Sequence, residues 1–201
     1  MAPRSSNTRE RIVKAARALV RKGGPAALTF DAVANRLGVT KQAVIYWFPN
    51  KEALGVAVVL PGVESEAQMG IAAVSGTSDP NEARAAFVNE IARFHLADLE
   101  RFRLMYLAPQ MGARLGKARG NGAINTSIHP VTRQMYDALA AALDVPGKDP
   151  QATRREAVAL HFAILGVVMM QGLTEAIDDP LRHDADSLIE ALSALVAEPL
   201  S

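Results

Sequence analysis

The fold is decided by the stretch Thr29–Leu54, which reads TFDAVANRLGVTKQAVIYWFPNKEAL. Its first threonine can cap a helix over about Phe30–Leu37, because a hydroxyl accepts a hydrogen bond from a free amide of the first turn. Gly38 then breaks that helix, and Thr40 caps a third helix that continues to about Phe48. Two short helices joined by a tight turn containing glycine are typical of a helix-turn-helix, and the sequence predicts one here.

The third helix has an apolar face and a polar face. Val44 and Phe48 are four residues apart and therefore share a face; with Val33, Leu37 and Val39 they form the apolar set expected to lock the helices together. In a major groove, Gln can bond an adenine edge, Lys a guanine or a phosphate, and an Ala methyl a thymine methyl. The opposite face presents such groups: Lys41, Gln42, Ala43 and Tyr46, with Trp47 to the side.

The charge is divided unevenly along the chain. The 201 residues carry a formal net charge of only +1. Residues 1–60 nevertheless hold ten basic and three acidic residues, a net charge of +7, and residues 61–201 hold twelve basic and eighteen acidic residues, a net charge of −6. Such asymmetry suggests that one end of the chain contacts nucleic acid or another anionic surface.

The rest of the chain is typical of an all-α protein. Hydrophobic residues make up 49% and charged residues 21%, and no stretch alternates cleanly enough to predict a strand. The chain has no Cys, which excludes disulfides and thiol chemistry. The N-terminus has no apolar signal-peptide region, and no apolar run approaches the roughly 20 residues of a membrane span. We therefore expect a cytoplasmic protein.

Helical periodicity also sets expectations for the middle and end of the chain. The helix after Asn50 should kink or end at Pro61, because proline cannot donate to the helix ladder. A long helix is expected over 81–101, and further helices over about 129–143, 151–177 and 184–197. Residues 157–170 are apolar almost all round, so that helix must be covered on most faces.

Residues from about Thr8 to Leu54 contain the patterns Ile12-Val-x-Ala15-Ala16-x-x-Leu19, Gly24, Thr29, Val33-Ala34, Leu37-Gly-Val-Thr40 and Tyr46-Trp-Phe-x-Asn-Lys-Glu-Ala-Leu54. With these residues the sequence resembles the TetR family of transcriptional regulators. The resemblance implies an all-α homodimer with a three-helix DNA-binding head, predicted over residues 1–50, and a helical ligand-binding and dimerisation body, predicted over residues 51–201.

The resemblance also implies DNA-contacting roles at matching positions. Thr29 and Thr40 would offer hydroxyls and helix N-terminal amides to phosphates, and Lys51 would contact a phosphate. Many members have a Leu-Tyr pair at the positions of Val44 and Ile45, so either Tyr46 or Trp47 would take the place of that tyrosine. The residues expected to face the groove are Lys41, Gln42, Ala43 and Tyr46.

The body offers a candidate pocket for a small-molecule effector. Methionine-rich apolar surfaces adapt to varied ligands, although each such residue alone is more often part of a core. The candidate residues are Phe94, His95, Phe102, Met105, Met111, His129, Met135, Phe162 and Met169, with His161 as a further polar candidate.

The sequence of the body shows no set of residues with the pattern of a catalytic site. Its four histidines have no nearby carboxylate at helical ligand spacing, so we expect no metal site, no cofactor and no enzymatic activity. Packing the last two helices of two subunits as a four-helix bundle would cover the apolar segment 157–170, and Gly166 would permit close approach.

The sequence therefore predicts a repressor that a small molecule releases from a palindromic operator. A helical enzyme with a DNA-binding head, and a peripheral membrane protein using the basic first helix, are the alternatives.

Overall fold

A computed structural model describes residues 4–107, 124–180 and 183–197. These residues form nine α-helices joined by turns, with a 3₁₀ turn over Pro25–Ala27 and π-helical turns over Arg103–Leu107 and Ile124–Ile128, and contain no strand. The all-α prediction is confirmed. The helices are α1 (Arg4–Gly23), α2 (Phe30–Leu37), α3 (Lys41–Trp47), α4 (Lys51–Val74), α5 (Pro80–Leu96), α6 (Leu99–Phe102), α7 (His129–Ala142), α8 (Pro150–Ala176) and α9 (Ala185–Ala197).

The chain divides into two compact units. The first comprises residues 1–63 and 100–130, and the second residues 64–99 and 131–201, in each case as far as the structure describes them. This division by packing does not test the predicted functional boundary after residue 50, which stays a prediction.

Side-chain caps define the starts of the short helices in the first unit. Thr29 Oγ1 accepts a hydrogen bond from the Ala32 amide at 3.1 Å, and Thr40 Oγ1 accepts one from the Ala43 amide at 3.2 Å. Between them, Gly38 has φ 67° and ψ 34°, a left-handed conformation that glycine adopts without the clash of a Cβ atom. The predicted caps and turn are therefore present.

An apolar core holds the first three helices together. Ile12 and Ala16 of α1, Val33 of α2 and Val44 of α3 are all buried within it. Val39, which the sequence analysis placed in this set, is instead 37% exposed. It lies in the turn, outside both helices, so helical periodicity does not direct its side chain inward.

Helix α4 continues through Pro61 to Val74. Proline removes one hydrogen bond from the helix ladder and crowds the preceding turn. Three residues before Pro61, the carbonyl of Val58 accepts a hydrogen bond from Arg17 at 3.2 Å. The sequence predicted that the helix would either kink or end at Pro61, and the structure shows that it does not end there.

The helix predicted over 81–101 is two helices. Helix α5 ends at Leu96, and the Asp98 amide donates to the carbonyl of His95 at 3.1 Å, three residues back. This tighter hydrogen bond turns the chain before α6 begins at Leu99. Periodicity missed the break because neither a proline nor a glycine marks it.

The second unit is built around α5, which packs against α8 and α9. Its core includes Phe87, Met135 and Ile164, each essentially inaccessible to solvent. At Gly70 of α4, an added Cβ would lie 2.8 Å from the Phe87 ring and 3.1 Å from the Met135 side chain. Glycine is therefore required at this close approach of helices.

Helix α8 is long and apolar enough to cross a membrane by length and composition, although the sequence analysis expected no such segment. It contacts α5 and α9 within the second unit. Three polar side chains, Thr153, His161 and Gln171, are buried along it, and each makes a hydrogen bond inside the unit. Its role in this structure is to pack the second unit.

Candidate functional site

The polar face predicted for α3 is exposed. Lys41 and Gln42 are open to solvent, and Tyr46 is 81% exposed. Ala43, between them, is half-buried, while Val44 on the opposite side has no exposed surface. Because α3 is anchored through its apolar face, its polar face is presented as a rigid surface.

Lys41 is paired with a carboxylate of the neighbouring helix. Its Nζ donates a hydrogen bond to Oδ2 of Asp31, in the first turn of α2, at 2.9 Å. Both side chains are more than half exposed, so the pair is weak and can exchange for other partners. Lys41 thus remains a cation that an approaching phosphate or base could take over.

Tyr46 and Trp47 differ in environment. Their rings make an edge-to-face contact with centroids 5.4 Å apart. Trp47 packs against the core of the first unit, and the Tyr46 ring projects from the surface. Of the two candidates for the tyrosine contact, this placement favours Tyr46.

The stretch Thr29–Leu54 contains three helix N-termini, those of α2, α3 and α4. Thr29 and Thr40 are exposed caps, so the first-turn amides of α2 and α3 lie beside accessible hydroxyls. Helix α4 starts with exposed Lys51, and Asn50 Oδ1 caps it by accepting from the Ala53 amide at 2.8 Å. Helix N-termini attract anions through free amides and the helix dipole.

The basic face of α1 borders an open groove of about 820 Å³, lined also by residues of α4 and by Glu100. Arg21 forms an ion pair with Glu100, and Arg17 bonds the Val58 carbonyl. The apolar side of α1, including Ile12 and Ala16, is buried in the core. Because that side is already packed, the helix lacks the free apolar face that membrane binding requires.

A second constellation lies within the second unit, where Glu66, His95 and His161 meet. Glu66 Oε1 lies 2.6 Å from His95 Nε2 and 3.1 Å from His161 Nε2. His161 Nδ1 lies 2.8 Å from the Tyr136 hydroxyl. Glu66, His95 and His161 are almost completely buried, and we call these three residues the Glu-His-His cluster.

The electrostatics of the cluster keep Glu66 ionised. Burial by itself would raise the pKa of Glu66, but the hydrogen bonds from His161 and His95 outweigh it and lower the pKa to about 2. Burial and the nearby charge of Glu66 raise the pKa of Tyr136 to about 12, so its hydroxyl keeps its proton at neutral pH. The three ligand atoms lie within 4.8 Å of one another, a group able to hold a metal ion.

The predicted pocket residues have different environments. In the first unit, Phe102 and Met105 are buried and His129 is exposed; Met111 lies outside the described residues. The remaining candidates belong to the second unit. Among these, His95 and Met135 are buried, Phe94 is half-buried, and Phe162 and Met169 project into solvent.

Neither the role of Glu66 nor the proximity of His95 to His161 was predicted from the sequence. Glu66 is 29 residues from His95 and 95 residues from His161. The expectation of no metal site relied on local helical spacing, and no such spacing exists between α4, α5 and α8. Helix α4 contains three glutamates, Glu52, Glu64 and Glu66, so the sequence alone does not single out Glu66.

The fold and the exposed recognition face define a helix-turn-helix DNA-binding protein. Residues 12–58 match the family model of bacterial regulatory proteins of the tetR family, so this part of the chain is a tetR-type DNA-binding domain. No curated protein matches the sequence.

Solved structures share the fold over nearly the whole chain. The fatty acid degradation regulator FadR from Bacillus halodurans is 14% identical with a TM-score of 0.67, covering 96% of both chains. FadR from Bacillus subtilis, solved in complex with stearoyl-CoA, is 13% identical with a TM-score of 0.68, covering 96% of this chain and 99% of that one. A transcriptional regulator from Saccharomonospora viridis, in complex with choline, is 18% identical with a TM-score of 0.63, covering 96% of both.

Proposed function

We propose that this protein is a homodimeric repressor that binds a palindromic operator and leaves it when a small molecule binds in the helical body. The observation that carries the proposal is the exposed polar face of α3, opposite a fully buried Val44. A rigidly anchored helix of this kind fits the major groove of B-DNA. In this proposal residues 1–50 form the head and residues 51–201 the body.

The proposed contacts divide into two kinds. Phosphates would be bound by Lys51 and by the capped N-termini at Thr29 and Thr40, which orient the head without reading sequence. Base edges would be read from the exposed face of α3. The residues proposed for that face are Lys41, Gln42, Ala43 and Tyr46, with Trp47 positioning the Tyr46 ring.

The proposed dimer uses the last two helices. Along α8, Phe162, Met169 and Leu173 are exposed at helical spacing, on the side opposite buried Ala157, Ile164 and Val168, and Ile177, just after the helix, is exposed as well. On α9, Leu195 is 75% exposed. A Cβ added at Gly166, on the same side of α8, would meet nothing within 4 Å.

The apolar side chains of that surface support the presence of a partner. A row of exposed apolar residues along one side of a helix is typical of an interface. A second copy of α8 and α9 would cover it as a four-helix bundle. The positions of Phe162 and Met169 therefore support a place in the interface rather than in the pocket.

The proposed effector acts through the body. A ligand shifts the equilibrium between DNA-binding and released forms only by its difference in affinity for the two. Two proteins of the same fold were solved with stearoyl-CoA and with choline, and these compounds are rational first probes for this chain. We further propose that the protein acts in the cytoplasm, where its DNA partner lies.

The experiment combines operator selection with ligand release. Selection from random duplexes supplies a labelled operator, and fluorescence anisotropy then follows its complex with the full chain in the presence of stearoyl-CoA, choline and a panel of other small metabolites. Release by one compound at constant salt, with no effect of that compound on a non-specific complex, supports the proposal. Failure of the chain to enrich any duplex would overturn it.

A further inference from the structure

We propose that the Glu-His-His cluster is a binding site for one divalent transition-metal ion, with Zn²⁺ the best match. The cluster joins three helices: Glu66 comes from α4, His95 from α5 and His161 from α8. Nothing in the DNA-binding role requires three titratable groups to converge in the core of the second unit.

The donor set selects the class of ion. Two imidazole nitrogens and one carboxylate oxygen suit Zn²⁺ and its neighbours, whereas Mg²⁺ and Ca²⁺ prefer oxygen ligands alone. The Glu66 carboxylate is the one donor of the three that can bring a negative charge towards a dication. All three side chains are almost completely buried, so bulk water does not compete with the ion for them.

The distances are close to those that a tetrahedral ion needs. Zn²⁺ binds nitrogen and oxygen at about 2.0–2.2 Å, which sets its ligand atoms about 3.3 Å apart. The separation of Glu66 Oε1 from His161 Nε2 is 3.1 Å, and that from His95 Nε2 is 2.6 Å. These two separations would widen by about 0.7 Å and about 0.2 Å to reach that spacing, and all three ligand atoms lie within 4.8 Å of one another.

Tyr136 supplies the outer support that such sites use. Its hydroxyl contacts His161 Nδ1 at 2.8 Å. When His161 Nε2 binds a metal ion, Nδ1 carries the proton and donates a hydrogen bond to the Tyr136 oxygen. This hydrogen bond fixes the tautomer and the orientation of the His161 ring. Aromatic rings enclose both imidazoles: Phe87 lies 6.1 Å from His161 and Phe94 lies 5.0 Å from His95, measured between ring centroids.

Three protein ligands leave a tetrahedral ion with one further position. Among the residues that the structure describes, the group contains these three. Sites with three protein ligands bind a water molecule or an exogenous donor at the fourth position. The proposed ion would crosslink α4, α5 and α8.

Direct metal binding tests this inference without DNA, so its failure leaves the proposed function untouched. The full chain is stripped with a chelator, dialysed and titrated with Zn²⁺ against a chromophoric chelator. We expect one ion per chain and a binding constant that falls about 100-fold or more in Glu66→Gln and in His161→Gln, since even outer partners of metal sites contribute about 10–100-fold. His129→Gln and His183→Gln, which change exposed histidines outside the cluster, are the matched controls and should bind as the wild type does.

A second measurement on the wild type removes any dependence on the folding of variants. In imidazole ¹⁵N NMR, Zn²⁺ should shift two of the four histidines, each at Nε2, and Co²⁺ should give the visible absorption of a tetrahedral site. Absence of stoichiometric binding, a shift of His129 or His183 instead, or equal loss in the control variants would overturn the site and leave the cluster as a buried hydrogen-bond network.

Discussion

Lys41 Nζ lies 2.9 Å from Asp31 Oδ2, so the first cation of α3 is paired with a carboxylate at the start of α2. Both residues are exposed. The pair therefore lies on the surface proposed to meet DNA, and binding would exchange the carboxylate for a phosphate or a guanine. Under the proposed function, Asp31 would therefore neutralise part of the positive charge of α3 until DNA binds.

Replacing Asp31 with Asn should tighten binding to every duplex. The substitution frees Lys41 and removes a negative charge near phosphates, an effect of about 0.5–1 kcal/mol for an exposed pair. Anisotropy titrations at several salt concentrations measure it. In a Lys41→Ala background the gain should shrink, and an equal gain in both backgrounds would contradict a role through Lys41.

Gln42→Ala and Lys51→Ala should affect binding in different ways. Loss of the Gln42 side chain should relax specificity at one or two base pairs, at about 1–3 kcal/mol for the preferred site. Loss of Lys51 should weaken all complexes alike and reduce the salt slope by about 1. Each variant is the control for the other, and the head assignment fails if neither changes operator binding.

The turn of the helix-turn-helix can be tested by a pair of glycines. An added Cβ meets nothing within 4 Å at Gly38 or at Gly55, but only Gly38 has a positive φ. Gly38→Ala should cost about 1–2 kcal/mol of unfolding free energy, while Gly55→Ala, inside α4, should add about 0.5–1 kcal/mol. Urea unfolding measures both changes in unfolding free energy. Changes of the same sign in the two variants would argue against a left-handed conformation at Gly38.

These local features were predictable from sequence because each depends on residues close in the chain. The caps at Thr29 and Thr40 and the turn at Gly38 come from short-range hydrogen bonds and backbone sterics. The Glu-His-His cluster could not be predicted in the same way, since its residues lie on separate helices that only tertiary packing brings together. The break between α5 and α6 likewise follows from a backbone hydrogen bond that no proline or glycine announces.

The proposed dimer surface predicts the effect of a buried charge. Phe162→Lys places an ammonium in the apolar stripe of α8, and desolvating it opposes association strongly. Glu175→Gln changes an exposed residue of the same helix and shifts the net charge by the same amount. Sedimentation at micromolar concentration should show a monomer for the first variant and a dimer for the second; a Phe162→Lys dimer as stable as that of the wild type would place the interface elsewhere.

Sequence-specific binding by a two-fold dimer is the central claim, and selection from random duplexes with the full-length chain tests it most directly. The account predicts an enriched site with two inverted half-sites, whose centres are about one helical turn of DNA, roughly 34–36 Å, or a multiple of it apart. No enrichment, or a single half-site without an inverted partner, would contradict it.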